Sequence, residues 1–193
     1  MRSVLIFFFF LSIFSSFCFL RAKENRPNIL WLVVEDQSKH YGFNGEKLVH
    51  TPVLDELAEN GVRFTNASVT APVCSTARSA LITGMFQTSI GAHHHRSGRG
   101  VAKINIPNHI KLIPELFKDA GYYTCLGSNG QAAGNASPKQ KNRLGKSDYN
   151  FQWDPNVFDA PEWSGRKQGQ PFFAKICLSG GKALSLIHIS EPT

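Results

Sequence analysis

The sequence predicts an α/β fold built on a mainly parallel central sheet flanked by helices, and three observations predict it. Asn28-Ile-Leu-Trp-Leu-Val-Val34 is a continuous apolar, β-rich run, the pattern of a strand buried on both faces of a parallel sheet. Helical patterns follow it, each closed by a glycine at Gly61, Gly84 or Gly121. Strand-like and helical stretches then alternate along the chain, which is the order that crossover connections produce.

Taken in order, the first strand ends in the acidic pair Glu35-Asp36. Thr51-Pro52 next supplies an N-cap followed by proline at the first helical position, and Val53, Leu54, Leu57 and Ala58 form an apolar stripe that stops at Gly61. Residues 63–69 read as a second strand and residues 75–83 as a second helix with Gly84 as its stop. A third helix spans residues 112–120, with a proline near its start, and runs through Gly121 into a strand over 122–126. Residues 127–147, rich in Gly, Asn, Ser, Gln and Lys, read as a loop, and residues 171–179 as a further strand. In open sheets of this kind ligands gather at the carboxyl ends of the strands, where Glu35, Asp36 and Cys74 fall.

The two ends follow different rules. Residues 1–22 carry one early arginine and an apolar run crowded with phenylalanine, the layout of an export signal, with an uncleaved membrane anchor as the competing reading. Residues 184–193, Leu-Ser-Leu-Ile-His-Ile-Ser-Glu-Pro-Thr, read as a translated sequencing adapter, so His188 is set aside. Residues 23–183 are left as one incomplete catalytic unit, and the whole protein is expected to be longer. Once Cys18 goes with the signal, Cys74, Cys125 and Cys177 remain, an odd number that indicates no disulfide framework. The formal charge of +7 suits a polyanion. Basic residues are scattered and no RNA- or DNA-binding motif occurs, which favours an anionic polysaccharide over nucleic acid. The sequons at Asn66 and Asn135 carry meaning only in a secretory eukaryotic host.

The chemistry concentrates at Cys74-Ser75-Thr76-Ala77-Arg78. A cysteine that follows a strand and opens a helix sits where unpaired N–H groups and the helix dipole favour an anion, and Arg78 lies one turn along the same face. His93-His94-His95 reads either as a metal tract or as a loop at the pocket rim, where His94, His95 and Arg96 would touch substrate. Three consecutive residues do not easily face one ion, which favours the rim. Arg96, Arg99 and Lys103 equally suit a solvated basic face, and Trp31, Trp153 and Trp163 are expected to pack.

Several motifs stand here in the order of one family: Arg26-Pro-Asn-Ile-Leu, Glu35-Asp36, Thr51-Pro-Val-Leu-Asp-Glu-Leu-Ala, Gly61-Val-Arg-Phe-Thr-Asn, Ala71-Pro-Val-Cys-Ser-Thr-Ala-Arg-Ser and Leu81-Ile-Thr-Gly-Met. Together they resemble the type I sulfatases over residues 26–181, and the stretch 84–97 is most similar to bacterial arylsulfatases and heparan N-sulfatase-like sulfatases. The resemblance implies an alkaline phosphatase-like fold and hydrolysis of the O- or N-sulfate of sulfated carbohydrates. It implies that Cys74 becomes formylglycine through a formylglycine-generating or radical-SAM maturation enzyme. A calcium ion would be held by Glu35, Asp36 and the residue at position 74. Arg78 would hold the aldehyde hydrate, and Lys146 in Gly145-Lys-Ser-Asp-Tyr-Asn-Phe would neutralise sulfate oxygens.

Three positions depart from the family pattern. Thr76 stands where proline or alanine is usual, Glu35 where aspartate is commoner, and Asp148 where histidine is frequent. The later Asp-Asn metal pair of that family has no counterpart in these residues, so an N-terminal part, inactive alone, is expected. Two other classes share some of these features. One is a zinc-dependent phosphoester hydrolase of the same superfold, and the other is a non-catalytic sugar-binding relative.

Overall fold

A computed structural model describes residues 26–95, 104–128 and 142–178. The export signal, the adapter-like tail, Arg96, Arg99, Lys103 and Asn135 lie outside the described residues. The elements are β1 (Ile29–Val34), α1 (Pro52–Asn60), α2 (Cys74–Thr83), α3 (Ile113–Asp119), β2 (Tyr123–Ser128) and β3 (Phe172–Leu178), with short 3-10 turns at Gly42–Asn44 and Pro155–Val157. Among the described residues no helix is long and apolar enough to cross a membrane.

The three strands form one parallel sheet in the order β1-β3-β2, so β3, last in the chain, lies in the middle. Two neighbours explain why β3 is buried along nearly its whole length. Register places Trp31 and Leu126 on either side of Lys175, and Val33 and Ser128 on either side of Cys177. Alternation along the strands then separates two faces. Phe173, Lys175 and Cys177 point to one face, which α2 and α3 cover. There Ile82, Leu126, Tyr149, Phe151 and Phe158 complete the larger core, and Phe117 of α3 stacks on Phe173 with centroids 4.5 Å apart. Phe172, Ala174 and Ile176 point to the other face, with Cys125 and the stacked ring of Trp163.

The helix stops read from sequence hold. Gly84 caps α2 with φ 65° and Gly121 follows α3 with φ 85°, a left-handed conformation that suits glycine. Trp31, Trp153 and Trp163 all pack against other rings. Cys74, Cys125 and Cys177 are free thiols, and burial pushes the Cys125 thiol up to about 12.

Several expectations are corrected. Residues 63–69 form no strand, and Phe64 and Val69 are exposed. β-propensity stabilises only what a neighbouring ladder can pair, and no described strand lies beside this stretch. Gly127 and Ser128, expected in a loop, extend β2 instead. β1 is half-buried on one face and exposed on the other, because Leu30, Leu32 and Val34 project where the smaller core does not reach. The stripe of α1 is likewise open, with no buried residue in that helix. Thr51 precedes α1 without capping its N–H groups by side chain. Its hydroxyl accepts from the Gly42 N–H at 2.9 Å and donates to Asp55 Oδ1 at 3.0 Å, tying the helix to the 3-10 turn.

Lys175 is the unexpected residue of the core. It is fully buried, with its Nζ 5.3 Å from the Trp31 ring centroid and 5.1 Å from that of Tyr149, whose hydroxyl lies 3.4 Å away. Burial lowers its pKa to about 8, an effect that nearby Arg78 adds to and Cys177 opposes. Below pH 8 both folded and unfolded states hold the proton, and the full cost of the buried charge is present. Between about 8 and the unfolded value the unfolded state binds more protons, so stability rises with pH. Urea titrations of the full-length protein should therefore show wild type gaining on Lys175→Met by about 3 kcal/mol between pH 7 and pH 10.5. A pH-independent difference would place the amine in water.

Candidate active site

Four segments that are distant in sequence meet at the carboxyl end of the sheet. β1 ends in Glu35, whose N–H donates to Leu178 O at 3.0 Å, so the ladder to β3 carries Glu35 to the sheet edge with its side chain buried. Asp36 follows with φ 53°, a left-handed conformation that aspartate tolerates, and is exposed. The third segment is the start of α2. Val73 is its extended N-cap, so Cys74 opens the helix as expected, although the stretch before it is irregular rather than a strand. The fourth is residues 144–150, laid across β2 by a 2.7 Å bond from the Gly145 N–H to Leu126 O.

These segments bring together four charged or nucleophilic groups. The Lys146 ammonium pairs with Glu35 Oε1 and lies 3.6 Å from Asp148 Oδ2. The Cys74 thiol donates to the same Asp148 oxygen at 3.6 Å. Contacts therefore run Cys74–Asp148–Lys146–Glu35, with Lys146 still one-third exposed and both carboxylates nearly buried. Asp148 adopts φ 50°, a left-handed conformation that aspartate tolerates.

Beneath them lies Arg78, buried although charged. One of its nitrogens donates to Lys146 O at 3.4 Å and contacts Cys177 Sγ at 3.1 Å, and that thiol donates to Lys146 O at 3.1 Å. Arg78 thus fixes the backbone that carries Lys146, and these contacts go there and not to Cys74. Tyr149, packed next to this layer, has its hydroxyl pKa raised by burial, with Cys177 adding to the effect and Arg78 opposing it.

The departures find physical places. Thr76 is buried with its hydroxyl donating to Val73 O at 2.8 Å, so a polar side chain is satisfied in the first turn. Glu35 uses its longer arm to reach Lys146. His94 and His95 are exposed, with His95 Nδ1 2.9 Å from Ser75 Oγ. Arg96 lies outside the described residues.

Calcium requires several oxygen donors around one point. Glu35 and Asp36 are donors of that chemistry. However, no group of three or more acidic, histidine or cysteine side chains among the described residues could hold a metal ion, and Glu35 Oε1 faces a cation. Glu35 and Asp36 would supply part of such an oxygen set, at a place where the Lys146 ammonium already meets Glu35.

Sequence reasoning passed over Cys177, Asn150 and Ser75, and saw Asp148 only as a departure. Cys177 was legible as the last inward residue of a strand whose carboxyl end faces the site. Asn150 left no signal, since a buried amide in an irregular segment has no pattern to betray it.

The chain is 34% identical over 160 residues to the ulvan-active sulfatase of Formosa agariphila, covering 77% of this chain and 24% of that protein. It is 38% identical over 103 residues to the human N-acetylgalactosamine-6-sulfatase, covering 50% of this chain and 20% of the relative. This chain thus spans about a quarter or less of these curated relatives. A solved structure described as a complex with its substrate D-glucosamine-2-N,6-O-disulfate superposes with a TM-score of 0.57 at 17% identity, over 79% of this chain and 34% of that one, a likeness of fold. The fold is the α/β, alkaline phosphatase-like one. The family model described as Sulfatase matches residues 27–182, and the chain belongs to that family.

Proposed function

We propose that the full-length protein hydrolyses sulfate esters, or N-sulfates, of sulfated carbohydrates at the cluster around Cys74. The observation that carries this reading is the line of contacts from Cys74 through Asp148 and Lys146 to Glu35 at the carboxyl end of a sulfatase-family sheet. Relatives whose names specify ulvan or an N-acetylgalactosamine sulfate point to a carbohydrate, and the formal charge of +7 suits its polyanionic character.

In this reading the Cys74 sulfur stands in for a hydroxyl oxygen of formylglycine hydrate, made from Cys74 by a maturation enzyme. That side chain supplies one hydroxyl to displace the alcohol from sulfur and a second whose deprotonation releases sulfate and restores the aldehyde. Glu35 and Asp36 would supply carboxylate oxygens to a calcium ion, which would polarise the sulfate when bound. The chain's own groups do the rest. Asp148 accepts the hydrogen of the group at position 74 and so aims its lone pair outward. Lys146, held between Glu35 and Asp148, offers its ammonium to sulfate oxygens. Arg78 keeps the Lys146 backbone in place. Residues 1–22 carry an export pattern, so we place the mature protein outside the cytoplasm.

The test expresses the full-length gene with a formylglycine-generating partner and follows sulfate and phosphate release from aryl esters with calcium present. Sulfate release is expected, whereas phosphate release alone moves the protein to phosphoester hydrolysis. Neither product, with a plain thiol at position 74, leaves a binding protein. Asp148→Asn keeps the left-handed backbone and removes the charge, so kcat/KM for sulfate release should fall about 10²-fold with little change in stability. Unchanged turnover would remove Asp148 from the reaction.

A further inference from the structure

A second polar network lies behind the nucleophile and leads away from it. Ser75, Ser79 and Asn150 are all essentially inaccessible to solvent. The Ser79 hydroxyl donates to Ser75 O at 2.7 Å and accepts from the Asn150 N–H at 2.9 Å. The Asn150 amide then spends both of its hydrogens on one exposed stretch, donating to Ala92 O at 2.9 Å and His94 O at 2.7 Å. Ser75, the neighbour of Cys74, meets His95 Nδ1 at 2.9 Å. Ala92 is fully buried and seals the near end of the stretch, while His93, His94 and His95 remain exposed, the first two with ring centroids 4.3 Å apart.

We propose that Asn150 and Ser75 are positioning residues that hold residues 92–95 beside position 74, so that His94 and His95 grip the carbohydrate part of the substrate. This rests on the sulfated-carbohydrate reading of the site. A buried amide with two donors on one nitrogen fixes two carbonyls of one segment at once, and with them the directions of the intervening side chains. Ser75 occupies the Nδ1 edge of His95, so the Nε2 edge on the far side of the ring is the one presented outward. Imidazole and adjacent ring faces suit hydroxyls and the apolar face of a sugar. In that reading the sulfate meets Lys146, which reaches Cys74 through Asp148 and not through Ser75. Binding of sugar and chemistry at sulfur are thereby divided between two networks that share the first turn of α2.

Ser75→Ala and Asn150→Ala in the full-length, matured enzyme test the division, with conversion of position 74 checked by peptide mass in each. For a sulfated disaccharide, KM should rise roughly tenfold in each variant while kcat stays within about twofold, and for an aryl sulfate lacking the sugar the rise should be smaller. A fall in kcat at unchanged KM, or equal losses on both substrates, overturns the proposal. Labelling of His95 by diethyl pyrocarbonate, read by peptide mass, needs no turnover. It should increase severalfold in both variants, and unchanged labelling overturns the proposal even if the parent enzyme releases no sulfate, a result that by itself would sink the sulfatase reading instead.

Discussion

Cys74→Ala in the matured full-length enzyme is expected to reduce sulfate release by at least about 10⁴-fold while leaving the fold intact. The effect should be this large because no other described side chain can replace the group at position 74. Cys177, the nearest alternative thiol in the layer below, is buried and its sulfur is engaged with Arg78 and Lys146 O. Stability should change little, since Cys74 is only partly buried and its side-chain contact is one long bond to Asp148. Cys74→Ser separates nucleophile from electrophile. A serine hydroxyl attacks once and is left esterified, because it lacks the second hydroxyl whose deprotonation releases sulfate. A burst of alcohol without turnover is therefore the expected behaviour of that variant.

Gly145→Ala is expected to lower both stability and activity. A Cβ at position 145 would run into the backbone of Gly127 on β2, at its carbonyl carbon and oxygen and 3.1 Å from its Cα. β2 has little room to retreat, because it is paired along its length with β3. Overpacking of this kind costs about 1–3 kcal/mol, and loss of the Gly145 N–H bond to Leu126 O adds about 1 kcal/mol. The displaced residue is the neighbour of Lys146. A shift of about 1 Å in that ammonium should reduce kcat/KM about 10²-fold, and denaturant unfolding beside sulfate-release kinetics would measure both losses. Retained stability and full activity would mean that residues 144–150 do not lean on β2.

The elements legible in the sequence are those whose signals are local. β1, α2 and α3 each combine an apolar pattern with a stop that backbone geometry enforces, Gly84 and Gly121 in the left-handed region being the plain cases. Residues 63–69 were misread because a strand needs a partner, and propensity at Phe64 or Val69 says nothing of whether one lies beside it. The open faces of β1 and α1 have a related cause. An apolar pattern records which face is meant to be covered, and the cover belongs to other segments.

Legibility of the site divides in the same way. Cys74, Arg78, Glu35 and Lys146 were readable because each sits in a motif, and the fold gathers them at one end of the sheet. Their pairing was not readable. That Arg78 supports the Lys146 backbone, that Asp148 lies between Cys74 and Lys146, and that Asn150 secures the histidine segment all depend on residues 144–150 crossing β2. A Gly-Lys-Ser-Asp-Tyr-Asn string carries no periodicity from which to predict that path.

The proposed reaction requires position 74 to end as an aldehyde rather than a thiol, and the mass of the tryptic peptide covering residues 64–78 tests this directly. From full-length protein co-expressed with a formylglycine-generating enzyme, that peptide should carry the mass of a carbonyl in place of the thiol-bearing carbon and react with an aldehyde-specific hydrazide. A peptide recovered wholly as cysteine, despite Thr76 being the only departure in the Cys74–Arg78 motif, would contradict the account.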